Sequence, residues 1–200
     1  MTYSQFSTLK LVKKNLGIPI SNKLLFEGVE KMPPSASLLA FLEMTTGHKT
    51  AFFSEKSRSE AIVFPILVNL QKELNYQFSL YSGAMIDAEK ERGLNGECDY
   101  VLGKGEQGSE IETPIFCLVE AKDNDIDIGI PQCIAQLCGA DLFNKQEGME
   151  ISPLYGCATT GETWQFIKYE NGAAIIDTKR YYLTQLDEIL GIIRHIVLVN

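Results

Sequence analysis

The chain consists of short apolar segments separated by clusters of Gly, Pro, Asn and charged residues. Apolar residues at helical spacing predict helices over residues 2–16, 21–31, 36–44, 57–75, 131–143 and 183–198. Continuous or alternating apolar runs predict strands over residues 77–87, 97–103, 115–122, 154–159, 164–169 and 173–182. The pattern therefore predicts a mixed α/β protein.

Several residues mark the expected starts of these helices. Pro65 lies inside the helix predicted over 57–75, so that helix either kinks there or begins near there. Ser57 and Glu60 have the spacing of a capping box. Pro131 is expected at the start of its helix, and Thr184 is expected to cap the last one.

Length and composition are those of one ordinary globular domain. Two hundred residues can bury a sizeable core. The longest apolar stretches, 61–70 and 192–199, are too short to span a bilayer, and the first residues lack the pattern of a signal peptide. Five cysteines without a close Cys-x-x-Cys pair argue against a disulfide framework or a zinc site. We therefore expect a cytoplasmic protein with no membrane partner.

Three charged residues fall in apolar, strand-like runs. Asp99 lies in the run Cys98 to Leu102, and Glu120 and Lys122 end the run that begins at Ile115. Buried strands normally exclude charge, because an unpaired ion in an apolar setting costs several kcal/mol. Strand side chains alternate, so Glu120 and Lys122 point to the same side, and Asp99 can lie beside them on the adjacent strand.

Asp99 followed by Glu120-x-Lys122 on the next strand resembles the signature of the PD-(D/E)XK nuclease superfamily, which has the restriction-endonuclease-like fold. Cys98 stands where that motif has Pro. The predicted order over residues 57–170 resembles the αβββαβ core of the superfamily. The resemblance implies a central mixed sheet flanked by helices within a single domain, 1–200. Residues 1–56 would form a helical N-terminal arm or lid, and residues 171–200 a C-terminal strand and helix.

The resemblance also implies a Mg²⁺-dependent nuclease, a hydrolase of phosphodiester bonds that acts on nucleic acid, with DNA as the expected partner. Asp99, Glu120 and the main-chain carbonyl of Ala121 would bind Mg²⁺, for which Mn²⁺ can substitute. The metal would acidify a water. Lys122 would orient or deprotonate that water, or neutralise the scissile phosphate. The alternative is a structural ion pair at a sheet edge.

Three further residues are candidates with open alternatives. Glu60 is either a third metal ligand from the first core helix or the capping residue described above. Gln136 and Gln132 share one helical face. Gln136 is the preferred site-lining residue, with Gln132 as the alternate; both could instead bind backbone groups. Asp123 is expected in a solvated turn, with contact to a second metal as the alternative.

The net charge of −8 runs against a simple nucleic-acid-binding surface. Residues 1–60 carry a net charge of +3 and residues 61–200 a net charge of −11. A non-catalytic interaction module that keeps the nuclease fold is therefore the alternative function. The sequence leaves open a homodimer or a protein partner.

Overall fold

A computed structural model describes residues 2–104, 111, 114–122 and 125–200, with the backbone alone at Cys117, Leu118 and Ala121. Asp123 and most of the predicted loop 104–114 lie outside the described residues. Within them, the strands are β1 Ile20–Lys23, β2 Phe78–Glu89, β3 Leu94–Lys104, β4 Ile115–Ala121, β5 Leu154–Thr159, β6 Thr163–Glu170, β7 Ala173–Asp177 and β8 Tyr181–Tyr182. The α-helices are α1 Leu9–Leu16, α2 Ala36–Thr46, α3 Glu55–Arg58, α4 Phe64–Glu73, α5 Ile126–Gln146 and α6 Leu186–Val199.

The described strands form one mixed sheet in the order β1-β7-β6-β5-β4-β3-β2, with β8 paired to β6. The pairs β1–β7 and β4–β5 are parallel, and the other pairs are antiparallel. The succession α4, β2, β3, β4, α5 and β5 has the predicted order of helix, three strands, helix and strand. The predicted fold class, a central mixed sheet flanked by helices, is confirmed.

Two apolar cores lie on opposite sides of the sheet. One packs side chains of α2, α4 and α6 against it, with Trp164 and Phe166 fully buried. The other packs α1 and α5, with Tyr3 and Ile134 fully buried. Because both faces are covered, all six residues of the central strand β5 are buried. Within the described residues, no helix is both long and apolar enough to cross a membrane.

The N-terminal segment belongs to this sheet. The helix predicted over 21–31 is wrong, because β1 pairs in parallel with β7, with Ile20 opposite Ala174. Three of the four residues of β1 are exposed, so its sequence lacks the apolar alternation that identifies a strand. Tyr3 and Phe6 are buried in the α5-side core, and the Tyr3 hydroxyl donates to the Ile86 carbonyl at 3.0 Å.

The helix predicted over 57–75 is real but interrupted. α3 and α4 are joined by a π-helical turn, Ser59–Val63, which leads into Pro65 at the start of α4. Proline cannot donate to the carbonyl four residues before it. That carbonyl, Ala61 O, instead accepts from the Thr45 hydroxyl of α2 at 2.9 Å. The carbonyl group left over at the interruption thus gains a hydrogen bond from a neighbouring helix.

Three predicted helix starts are corrected. Ser54 caps α3, so Ser57 lies inside that helix and the capping box with Glu60 is wrong. α5 begins earlier than expected because the Asp125 carboxylate caps it, which leaves Pro131 inside the helix. Thr184 does not cap α6, because it lies inside a 3-10 turn, Leu183–Gln185, that precedes this helix; the Tyr182 amide donates to Oε1 of Gln185 across that turn at 3.2 Å.

Candidate active site

Two neighbouring strands bring the predicted acid and base side chains towards one point. β3 and β4 are antiparallel with Tyr100 opposite Val119, so the next step of this register places Asp99 beside Glu120. Glu120 lies on β4 and Lys122 directly follows that strand; the Lys122 ammonium lies 2.6 Å from Oε1 of Glu120. Glu120 is 1% exposed, so this is a buried ion pair.

The strand carrying Asp99 is irregular at that residue. Cys98 and Val101 belong to the same core cluster, although side chains three residues apart on a regular strand face opposite sides. On β2, Gly83 lies between the partners of Cys98 and Tyr100 and has φ +66°, a conformation that favours glycine. The regular alternation of side chains between the two faces of the sheet is therefore interrupted next to the site, which the sequence pattern does not predict.

Helix α5 supplies an amide to the same carboxylate. Nε2 of Gln136 donates to Oε2 of Glu120 at 2.7 Å, and Gln136 is fully buried. Within the described residues, Oε1 of Gln136 has no hydrogen-bond partner. Gln132, one turn earlier on α5, is partly exposed. Of the two glutamines, the structure places Gln136 against the carboxylate.

The helix approaches the sheet closely because Gly129 has no side chain. A Cβ on Gly129 would lie 2.9 Å from Cγ of Lys122 and 3.2 Å from Cβ of Ala158. Any larger residue there would push against the lysine or the neighbouring strand. The position of Lys122 thus depends on a glycine in the first turns of α5.

An unpredicted carboxylate reaches the site from the upstream helix. Oε2 of Glu55, in the first turn of α3, lies 3.9 Å from the Lys122 ammonium. Glu60 is 68% exposed and pairs with Lys56 at 3.8 Å. Sequence reasoning missed Glu55 because α3 has four residues and no apolar pattern of its own, so only tertiary packing determines what it faces.

The charge states of the pair are strongly perturbed. Burial of the carboxyl group, followed by the charge of Asp99, raises the pKa of Glu120 from 4.5 to about 7, against the opposing effects of Lys122 and Gln136. Burial favours a lower pKa for Lys122, but the carboxylate of Glu120 outweighs burial and raises it. Lys122 is therefore an ammonium at neutral pH.

The oxygen donors at this point fit a hard cation. Within the ranges described above, no three His, Cys, Asp or Glu side chains group as a metal site. Mg²⁺, however, is usually held by one or two carboxylates and keeps several waters. Burial and then the charge of Asp99 raise the pKa of Glu120, and a bound cation would compensate the charge of the two carboxylates. Oε1 of Gln136 is a buried oxygen without a partner in the described structure. Ala121 O and Glu60 stay predicted ligands.

Comparisons with known proteins found a similarity to a solved structure. No protein-family model and no curated protein matches the sequence. Among solved structures, the chain is similar to the type IIG restriction endonuclease BpuSI, with 17% sequence identity and a TM-score of 0.49. The match covers 74% of this chain and 17% of that one. Such a likeness supports no argument about activity, so the function of this chain rests on its own side chains.

Proposed function

We propose that this chain is a metal-dependent phosphodiesterase that hydrolyses nucleic acid, with DNA as its substrate. The observation that carries the proposal is the buried Glu120 carboxylate, held between Lys122 and Gln136 and next to Asp99. A structural ion pair does not require a second carboxylate that opposes ionisation of the first. A second carboxylate beside the first is, however, an arrangement that commonly binds a divalent cation.

Asp99 and Glu120 would hold Mg²⁺, or Mn²⁺ in its place, together with the main-chain carbonyl of Ala121. When bound, the cation lowers the pKa of a water and offsets charge on the phosphate. Glu60 remains a proposed further ligand, although Glu55 is the carboxylate of the upstream segment that contacts Lys122.

Three side chains of the site would each have a separate role beside the cation. Lys122, an ammonium at neutral pH, would neutralise the scissile phosphate and orient the attacking water. Gln136 holds one oxygen of Glu120 by its hydrogen bond and so fixes the direction of the other. Glu55 would act as a positioning residue, because its carboxylate lies 3.9 Å from the Lys122 ammonium and so can help to hold it in place.

Cleavage assays with the purified chain test the proposal. Duplex DNA, single-stranded DNA and RNA are incubated with Mg²⁺, Mn²⁺ or a chelator. We expect Glu120→Ala and Lys122→Ala each to lower cleavage at least about a hundredfold, the loss typical of removing a group that stabilises transition-state charge. Glu120→Gln is assayed in parallel because it keeps the size of the side chain.

Lys168 and Glu170 provide a matched control. They form the same kind of pair, two residues apart on strand β6 and 3.0 Å between charged atoms, but away from the site and partly exposed. Lys168→Ala and Glu170→Ala should leave cleavage unchanged. Equal activity in the Glu120, Lys122 and control variants would remove this cluster from the mechanism.

The net charge of −8 favours a second candidate, a non-catalytic interaction module. Calorimetric titration with Mn²⁺ separates the two. Binding that is lost in Glu120→Gln supports the phosphodiesterase, whereas equal or absent binding in both proteins supports the module.

A further inference from the structure

A polar cleft of about 400 Å³ adjoins the candidate active site. Its polar lining combines two guanidinium groups, three hydroxyls and two carboxylates, from Arg58, Arg180, Thr160, Thr163, Tyr182, Asp125 and Glu162. Thr160 lies in the tight turn between β5 and β6, and Thr163 begins β6; the Thr163 amide donates to the Thr160 hydroxyl at 3.2 Å. The cleft therefore offers charged and hydrogen-bonding groups beside a hydrogen-bonded turn.

Two segments that line the cleft also carry or contact residues of the candidate active site. Arg58 follows Glu55 by three residues, so the two lie one helical turn apart, with about 5–6 Å between Cβ atoms. Thr160 follows Thr159, whose carbonyl accepts from the Lys122 amide at 2.7 Å. The main chain of Lys122 and the helix that carries Glu55 are thus continuous with the lining of the cleft.

Arg180 is oriented towards the cleft by a buried partner. Its Nε donates to Oε1 of Gln165 at 3.0 Å, and Gln165 in turn donates to the Asp177 carbonyl at 2.8 Å. The other end of the guanidinium pairs with Asp127, which is 64% exposed. One edge of Arg180 is therefore fixed, while the other faces a carboxylate that solvent can replace.

We propose that this cleft binds the phosphodiester next to the one that is hydrolysed, with Arg180 as the main contact. The proposal rests on the proposed nucleic-acid substrate. An exposed ion pair such as Arg180–Asp127 is weak, whereas an arginine binds phosphate with two parallel hydrogen bonds. The incoming phosphate displaces Asp127. Asp125 and Glu162 carry as much negative charge as the two arginines carry positive charge, so the cleft disfavours a doubly charged terminal phosphate more strongly than the single charge of a phosphodiester.

Binding without catalysis tests the proposal. Anisotropy of a short fluorescent DNA duplex and of its single strand is measured with the full chain in chelator, over a series of salt concentrations. Arg180→Ala should weaken binding about tenfold, the effect of losing a hydrogen bond to a charged group. The slope of log affinity against log salt should fall by about 0.9 for the duplex. Asp127→Asn should tighten binding, by up to about fivefold.

Arg194→Ala is the matched control. Arg194 lies on helix α6, and its guanidinium also pairs with an exposed carboxylate, that of Glu30, at 2.7 Å. This variant should not change binding. Arg180→Lys keeps the charge and the fold but should still weaken binding. Equal affinities of Arg180→Ala, Arg180→Lys and Arg194→Ala, or weaker binding by Asp127→Asn, would overturn the proposal. Because no cleavage is measured, a failure here is distinct from a failure of the catalytic assay.

Discussion

At the scale of single residues, Glu120 opposes stability when it is ionised. Its carboxyl group is 1% exposed and lies beside the negative Asp99, and its pKa is raised from 4.5 to about 7. Between these values the folded chain keeps a proton that the unfolded chain has lost. The resulting stabilisation is complete below about pH 4.5 and disappears as the pH rises through about 7.

Replacing this carboxylate should therefore change how stability depends on pH. Relative to the wild type, Glu120→Gln should gain stability from about pH 4.5 to about pH 8, by on the order of 3 kcal/mol. Urea denaturation in chelator at a series of pH values measures the difference. Glu170→Gln, at a partly exposed carboxylate on β6, should show no such trend. Parallel pH profiles of wild type and Glu120→Gln would contradict the assigned pKa shift.

At the scale of elements, the segment from Glu55 to Glu73 depends on its neighbour α2. The π-helical turn and Pro65 leave the Ala61 carbonyl without the amide that a regular helix supplies. Thr45 supplies the missing donor. Because α3 carries Glu55 towards the Lys122 ammonium, this hydrogen bond also contributes to the placement of a site residue.

Thr45→Val should destabilise the fold by about 1–3 kcal/mol, because it leaves the Ala61 carbonyl without its donor. Thr46→Val is the neighbouring control, since the Thr46 hydroxyl donates only to Leu42 of its own helix, at 2.6 Å, and its loss should cost less than about 0.5 kcal/mol. Thermal or urea unfolding of both variants measures the difference. Equal stabilities would show that the carbonyl does not need Thr45.

The strands from β2 to β6 and their order could be predicted, because each is an apolar run bounded by turn residues. The pairing of Glu120 with Lys122 followed from strand alternation alone. The role of Glu55 could not be predicted, because tertiary packing determines what a four-residue helix faces. The interrupted alternation at Asp99 could not be predicted either, because it is also set by packing. The early start of α5 was missed because its cap, Asp125, lies ahead of a proline that marks helix starts more often.

At the scale of the whole molecule, the first residues of the chain pack into the core, while a role of residues 1–56 as an arm or lid stays a prediction. Phe6 is fully buried, and the Tyr3 hydroxyl reaches a strand carbonyl 83 residues away. The first turn of the chain is therefore expected to unfold together with the sheet. The expectation of a second copy or a protein partner stays a prediction.

Phe6→Ala should lower the free energy of unfolding by about 3–5 kcal/mol, because it opens a cavity in the α5-side core. Phe53→Ala is the control, since Phe53 is 85% exposed and its loss should have little effect. Urea unfolding followed by both fluorescence and circular dichroism would also show whether one transition describes the molecule. A small loss of unfolding free energy in Phe6→Ala would show that the N-terminal segment contributes little to the core.

The parallel pairing of β1 with β7 also has a consequence for biosynthesis. Ile20 leaves the ribosome long before Ala174, its partner in the ladder. The nascent chain therefore carries β1 without its partner until the residues between the two strands have been synthesised, and β1 can be ordered in the sheet only after β7 has emerged. Until β7 emerges, binding of this polar stretch by a chaperone would not compete with any native contact of β1 in the sheet.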